Sequence, residues 1–129
     1  MDTIAQFLTR IRNAGIARHE KVDIPASKLR VGLAEILVGN GLIRSYKVAK
    51  DSKQGVMRVY LKYSEDGEHV ISKIERVSRP GRRVYVKSTG VPVVRSGLGM
   101  TILSTSQGLM SGQDAQKKNL GGELICKVW

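Results

Sequence analysis

Ile4, Phe7, Leu8 and Ile11 recur at intervals of three and four residues, the spacing that places them on one face of an α-helix. Thr3 followed by Gln6 has the form of a capping box, so a helix is expected from about Thr3 to Asn13, with Gly15 as its stop. Lys21 to Ile24 alternates charge with Val22 and Ile24 and predicts a short strand. Pro25-Ala26-Ser27 leads into a second helix, with Ser27 as N-cap and Leu29, Leu33, Ile36 and Leu37 as its apolar stripe. Gly39, Asn40 and Gly41 end it. Leu42–Ala49 and Val56–Tyr63 alternate about the turn-rich Lys50–Gly55, which is a hairpin pattern. In the second of these segments, Met57, Val59 and Leu61 share one face and Arg58, Tyr60 and Lys62 the other.

After the acidic stretch Ser64–Glu68 the pattern changes. Val70–Val77, Arg83–Lys87, Met100–Ser104 and Glu123–Trp129 are short strand-like runs punctuated by Pro80-Gly81, Gly97, Gly99, Gly108 and Gly121-Gly122, and only Gln113–Asn119 has a helical look. The expected fold class is α+β in two small subdomains. Residues 1–64 form an α/β half in the order helix-strand-helix-strand-strand; residues 65–129 form a β-rich half with one short helix.

The chain has 129 residues, 41% hydrophobic and 26% charged, an ordinary globular makeup. Lys and Arg outnumber Asp and Glu by 22 to 11, a formal charge of +11, and both halves are positive. A folded, basic binding protein fits this balance best. The single cysteine, Cys126, alternates within a C-terminal strand pattern and reads as a buried, inert thiol. His19 and His69 lie in polar stretches without a Cys or acidic cluster, so no metal or other cofactor is expected. No apolar run reaches the length of a membrane span and nothing reads as an export signal, which points to the cytoplasm and away from a membrane.

The densest charge feature runs from Arg76 to Arg95 and holds Arg76, Arg79, Arg82, Arg83, Lys87 and Arg95 with no acidic residue. A solvated strand edge would account for charge alone. Pro80-Gly81, however, sets guanidinium groups on a turn where they can reach phosphates, and Tyr85 follows Arg83 at strand spacing, a combination suited to RNA. Ser104-Thr105-Ser106-Gln107-Gly108 is a second feature: three hydroxyls on a loop that follows a strand directly and can address sugar and base edges. A plain Ser/Thr-rich turn is the alternative there. The third is Ser27-Lys28, where a helix N-terminus with an adjacent cation can hold a phosphate.

Other functions fit less well. Gly97-Leu98-Gly99 lacks the third glycine of a dinucleotide fingerprint, and Ser106 sits in no nucleophile elbow. A hydrolase using Ser106 or Cys126 would need a His or carboxylate partner that the sequence does not offer, so no enzyme and no small-molecule substrate is expected. A basic DNA-binding repressor is the main alternative, weakened because Ser27–Val38 carries only Lys28 and Arg30, at its start.

Several blocks together resemble a known family. Asp2-Thr3-Ile4-Ala5, Leu8 to Ala14, Pro25-Ala26-Ser27-Lys28-Leu29, Arg76-Val77-Ser78-Arg79-Pro80-Gly81, Gly97-Leu98-Gly99, Ser104-Thr105-Ser106 and Gly121-Gly122-Glu123-Leu124 through Trp129 resemble, in order, the bacterial type of small-subunit ribosomal protein eight. The resemblance implies a protein that binds the central-domain helix of small-subunit ribosomal RNA early in assembly and contacts neighbouring small-subunit ribosomal proteins. In members whose operon carries a mimic of that RNA, it also implies repression of the messenger RNA. It places the chain on a ribosome, in the cytoplasm or an organelle. It adds Thr3, Gly108, Gly122 and Glu123 as contacts, and the candidate RNA-binding set becomes Thr3, Arg12, Ser27, Lys28, Arg79, Arg83, Tyr85, Ser104, Thr105, Ser106, Gly108, Gly122 and Glu123. Glu123 is expected to accept from a base or to orient a neighbouring group. The chain departs from the family at Gln107, where Lys or Arg is usual, and at Ser111-Gly112, where a Thr-Asp pair is common.

Overall fold

The computed structural model describes residues 3–50, 55–92 and 99–129, and the chain forms two compact units, Met1–Ile71 and Ser72–Trp129. The first contains α1 (Thr3–Ile16), β1 (Lys21–Pro25), α2 (Lys28–Gly39), β2 (Ile43–Ala49) and β3 (Val56–Leu61). The strands make an antiparallel sheet in the order β1-β3-β2. Strand alternation turns Met57, Val59 and Leu61 inward, all fully buried or nearly so, against Phe7, Leu8 and Ile11 of α1 and Leu33, Ala34 and Leu37 of α2. Both helices thus cover one face of the sheet and leave the other open.

The end of α1 differs from expectation. The helix continues through Gly15, which is buried and helical, and closes in a Schellman turn: Arg18 N–H donates to Gly15 O at 3.2 Å and His19 N–H to Ala14 O at 2.9 Å. The left-handed residue is Arg18, at φ 59°. Gly15 serves packing instead, because a Cβ there would lie 2.1 Å from Nδ1 of His69. His69 is half-buried against this glycine and tilted onto the Tyr63 ring, and burial pushes its pKa down. At α2 the expected signals hold: Ser27 Oγ accepts from Arg30 N–H, and Gly41, at φ 72°, ends the helix.

The second unit is built on β8 (Gly122–Val128). On one side β8 pairs with β6 (Met100–Thr105), and β6 with β7 (Gly108–Ser111); on the other, β4 (Ile74–Arg76) and β5 (Tyr85–Val86) take opposite ends of β8. A 3-10 turn (Ser88–Gly90) and α3 (Gly112–Lys117) complete it. Leu103, Met110, Ala115 and Leu124 form a core cluster under α3, and Cys126 is fully buried, its thiol pushed up to about 12 by desolvation. Ser111 caps α3 by accepting from Asp114 N–H at 3.2 Å.

Three strand expectations need correction. Val70–Val77 narrows to Ile74–Arg76, since Ser72 and Lys73 both donate their N–H to the carbonyl of Trp129 instead of entering a ladder. Arg83–Lys87 narrows to Tyr85–Val86. The stretch Ser104–Gly108 is no free loop: Ser104 and Thr105 end β6, Gly108 opens β7, and only Ser106 and Gln107 form the turn. Positions 51–54, Arg95 and Gly97-Leu98 lie outside the described residues.

Candidate nucleic-acid interface

In the second unit, register brings the sequence-predicted residues together. Tyr85 is directly paired with Glu123, and Glu123 with Ser104, across β5, β8 and β6. Directly opposed residues share a sheet face, so these three side chains form one row. It lies opposite the face that Leu103 and Leu124 turn to the α3 core, because strand neighbours alternate. Tyr85 is 70% exposed, which leaves its ring open to a stacking partner.

Glu123 is the hub of this row. Its Oε2 accepts from the Ser78 hydroxyl and from Arg83 Nη1 at 2.9 Å. Those bonds, the Ser78 hydroxyl first, hold the carboxyl below the usual carboxylate range. Ser78 is fully buried, and its Oγ also accepts from Val84 N–H at 3.2 Å. One hydroxyl therefore ties the strap before Tyr85 to the carboxylate of β8. Ser78 was not singled out from the sequence, where it is one small polar residue among arginines; the signal was its place in the Arg-Val-Ser-Arg-Pro-Gly block. Arg83 is also placed differently from a freely available phosphate contact, since its guanidinium leans on Glu123.

Arg79 and Arg82 flank the Pro80-Gly81 turn and exchange both backbone hydrogen bonds, at 3.0 and 2.9 Å, so their exposed side chains leave a closed two-residue loop. The hydroxyl cluster is divided by strand alternation. Ser104 joins the Tyr85–Glu123 row, whereas Thr105 Oγ1 donates to Gly108 O at 2.9 Å and accepts from Gln107 N–H at 3.1 Å. Thr105 thus staples the turn, as a Ser/Thr-rich turn does, and Ser106 is exposed at its tip. Gly108 stands at φ 106°, where a side chain is strained. Gly122 is required by packing: a Cβ would lie 2.2 Å from the carbonyl oxygen of Ser104 on β6.

In the first unit, Thr3 opens α1 and Lys28 opens α2. Arg30, in the first turn of α2, donates to Gln6 Oε1 at 2.6 Å and to Pro25 O at 2.9 Å, joining the first turns of the two helices. Gln6 therefore accepts from Arg30, a role the capping-box reading did not include. Arg30 is 7% exposed, a buried cation without a carboxylate partner among the described residues. Its position in register with Leu33, Ala34 and Leu37 was the available sequence signal: a basic residue on the apolar stripe. Ser27 and exposed Lys28 lie at this junction, with the first amides of α2. Arg12 is exposed two and a half turns along α1 from Thr3 and does not join them.

The family model for ribosomal protein S8 matches residues 2–129. The small ribosomal subunit protein uS8 of Bdellovibrio bacteriovorus is 69% identical over 129 residues, covering both chains completely. Those of Geotalea daltonii and Streptococcus uberis are 58% and 52% identical over 128 residues, 99% of this chain and 97% of each relative.

Proposed function

The chain belongs to the ribosomal protein S8 family, a non-enzymatic structural component of the small ribosomal subunit, and we propose that it binds small-subunit ribosomal RNA directly through two sets of contacts. The observation that carries this reading is the row Tyr85–Glu123–Ser104 with Arg83, which sets an exposed ring, a hydroxyl and a fixed carboxylate on one sheet face. Such a row suits an irregular helix of the central domain whose bases are partly unstacked, since regular A-form RNA hides its base edges. Ser106 at the hairpin tip and the backbone at Gly108 extend it, and Arg79 at its turn supplies phosphate attraction. The junction of Thr3, Ser27 and Lys28 makes the second set, a helix N-terminus addressing a phosphate. Arg12 contributes only long-range charge.

Assembly of the subunit platform brings neighbouring small-subunit proteins against the chain, on the ribosome of the bacterial cytoplasm. A messenger RNA that folds into the same irregular helix would occupy the same surface, and through it the chain would repress translation of its own operon. The DNA-repressor alternative loses ground, because Arg30 turns into the core and leaves Lys28 as the one exposed cation in the first turn of α2.

The test is a titration of the full chain with a central-domain ribosomal RNA helix over a salt series, against a regular duplex of equal length. Tyr85→Ala should weaken binding to the irregular helix by roughly 5- to 150-fold and Ser106→Ala by roughly 2- to 13-fold, each leaving the salt slope unchanged. Equal binding to both duplexes, insensitive to either substitution, would reduce the chain to a generic polycation.

A further inference from the structure

The open face of the first unit's sheet is not used by the contacts above. Tyr60 stands on it one residue before the end of β3, with Lys21 of β1 and Ser45 of β2 as its directly paired neighbours. Two cations reach the ring from the β2 side: the Arg44 guanidinium at 5.4 Å and the Lys47 ammonium at 5.8 Å from its centroid. In the next row Lys47 is paired with Arg58, and Arg58 with Asp23.

We propose that this face is a further RNA-binding surface, separate from both sets above, taking an unpaired segment with a base on Tyr60 and its phosphates on Arg44, Lys47 and Lys21. The inference rests on the chain's place in a ribonucleoprotein but not on the Tyr85 row. Charge selects the occupant. Among the described residues, the carboxylates of this face are Asp23, bound to Arg58 at 2.8 and 3.1 Å, and Glu20, 3.5 Å from Arg44, so each already answers a cation. Lys47 stands directly opposite Arg58, whose charge Asp23 balances, so the positive charge that an anion laid across this face answers is that of Lys47 and Lys21. The helices pack on the other face, and both lysines are exposed.

The ring decides between anions. An acidic peptide would be held by charge alone, whereas every base has a face that stacks on an aromatic side chain. Alternate residues on a strand are about 6.7 Å apart, so the rows of Tyr60 and Arg58 offer successive footholds along an extended backbone.

The experiment is a titration of the isotopically labelled full chain with a short oligouridylate, followed by backbone amide shifts, with polyglutamate as the charged control. Saturable shifts should centre on Ser45–Lys47 and Arg58–Tyr60 and persist in Tyr85→Ala. Tyr60→Leu should weaken binding at this face by roughly 5- to 150-fold, and Tyr60→Phe should retain it. Shifts confined to the surroundings of Tyr85 would overturn this surface and leave the Tyr85 row standing. Shifts that polyglutamate reproduces at equal affinity, or that Tyr60→Leu leaves unchanged, would make the face a docking site for acidic protein and refute the proposal. Absence of any shift at β2 and β3 would refute it as well, and the ribosomal RNA titration would then judge the Tyr85 row separately.

Discussion

Replacing Ser78 with alanine removes one oxygen and tests the joint on which the Tyr85 row depends. The hydroxyl is fully buried, donates to the Glu123 carboxylate and accepts from Val84 N–H at 3.2 Å. A hydrogen bond to a charged group contributes about 1.5–3 kcal/mol, and a buried amide left without an acceptor costs about 1–3 kcal/mol. The two do not add fully, because Arg83 still holds Glu123 and Val84 is only half-buried. The expected loss is therefore about 2–4 kcal/mol, short of the total for a typical domain. Trp129, the only tryptophan, is hydrogen-bonded to Lys73 in the second unit, so its fluorescence in a urea titration follows the unfolding of that unit. A midpoint shifted down at unchanged slope is the expected result. The effect should also be non-additive with Glu123→Gln, since that change strips the charge from the same bond. A loss below about 0.5 kcal/mol, or full additivity, would refute the role given to this hydroxyl.

Gly122→Ala places a Cβ 2.2 Å from a backbone oxygen of β6, so β6 and β8 must part locally, and the same fluorescence titration should show a loss of about 1–3 kcal/mol. Gly15→Ala would ordinarily stabilise a helix by about 1 kcal/mol, but here the new methyl meets His69; calorimetry should show the melting temperature falling and His69→Ala recovering it in the double variant. Glu123 has its folded pKa depressed below the ordinary value of 4.5, so its stabilisation is complete above that pH and lost as pH falls through the folded value. Glu123→Gln should accordingly flatten the acid limb of the stability profile as pH falls below the ordinary value of 4.5, read by Trp129 fluorescence.

What could be read in the sequence was what repeats locally. Both long helices and the β2–β3 hairpin carry apolar periods long enough to declare themselves, and Ser27 and Gly41 mark their ends through their own backbone chemistry. The end of α1 was misjudged because Gly15 meets a need set by His69, far along the chain, and not a turn. β7 escaped notice because four residues beginning with glycine leave almost no alternation to see. The candidate contacts were found by composition, yet their arrangement was not. Which face Ser104 shares, and that Thr105 is turned away from it, depends on where β6 ends and how it registers on β8. Ser78 and Arg30 were hidden for the same reason, as their partners Glu123 and Gln6 lie on other elements.

Under the proposed RNA-binding role, the carboxylate in the row would let a chain with this much positive charge discriminate among RNAs. Phosphate attraction is the same for every sequence, so cations facing RNA raise affinity without selecting. Arg79 and Arg82 stand on a turn, and Lys28 at a helix start, where long side chains can follow a phosphate over some distance. Glu123 by contrast is fixed by Ser78 and balanced by Arg83, which removes most of its repulsion toward phosphate and turns Arg83 from a general attractor into a positioned group. Glu123 lies on β8 with Tyr85 paired on one side and Ser104 on the other, so its carboxylate can move little. A rigid row loses little freedom on binding and is intolerant of a base edge in the wrong place, and that intolerance is what selection among RNAs requires.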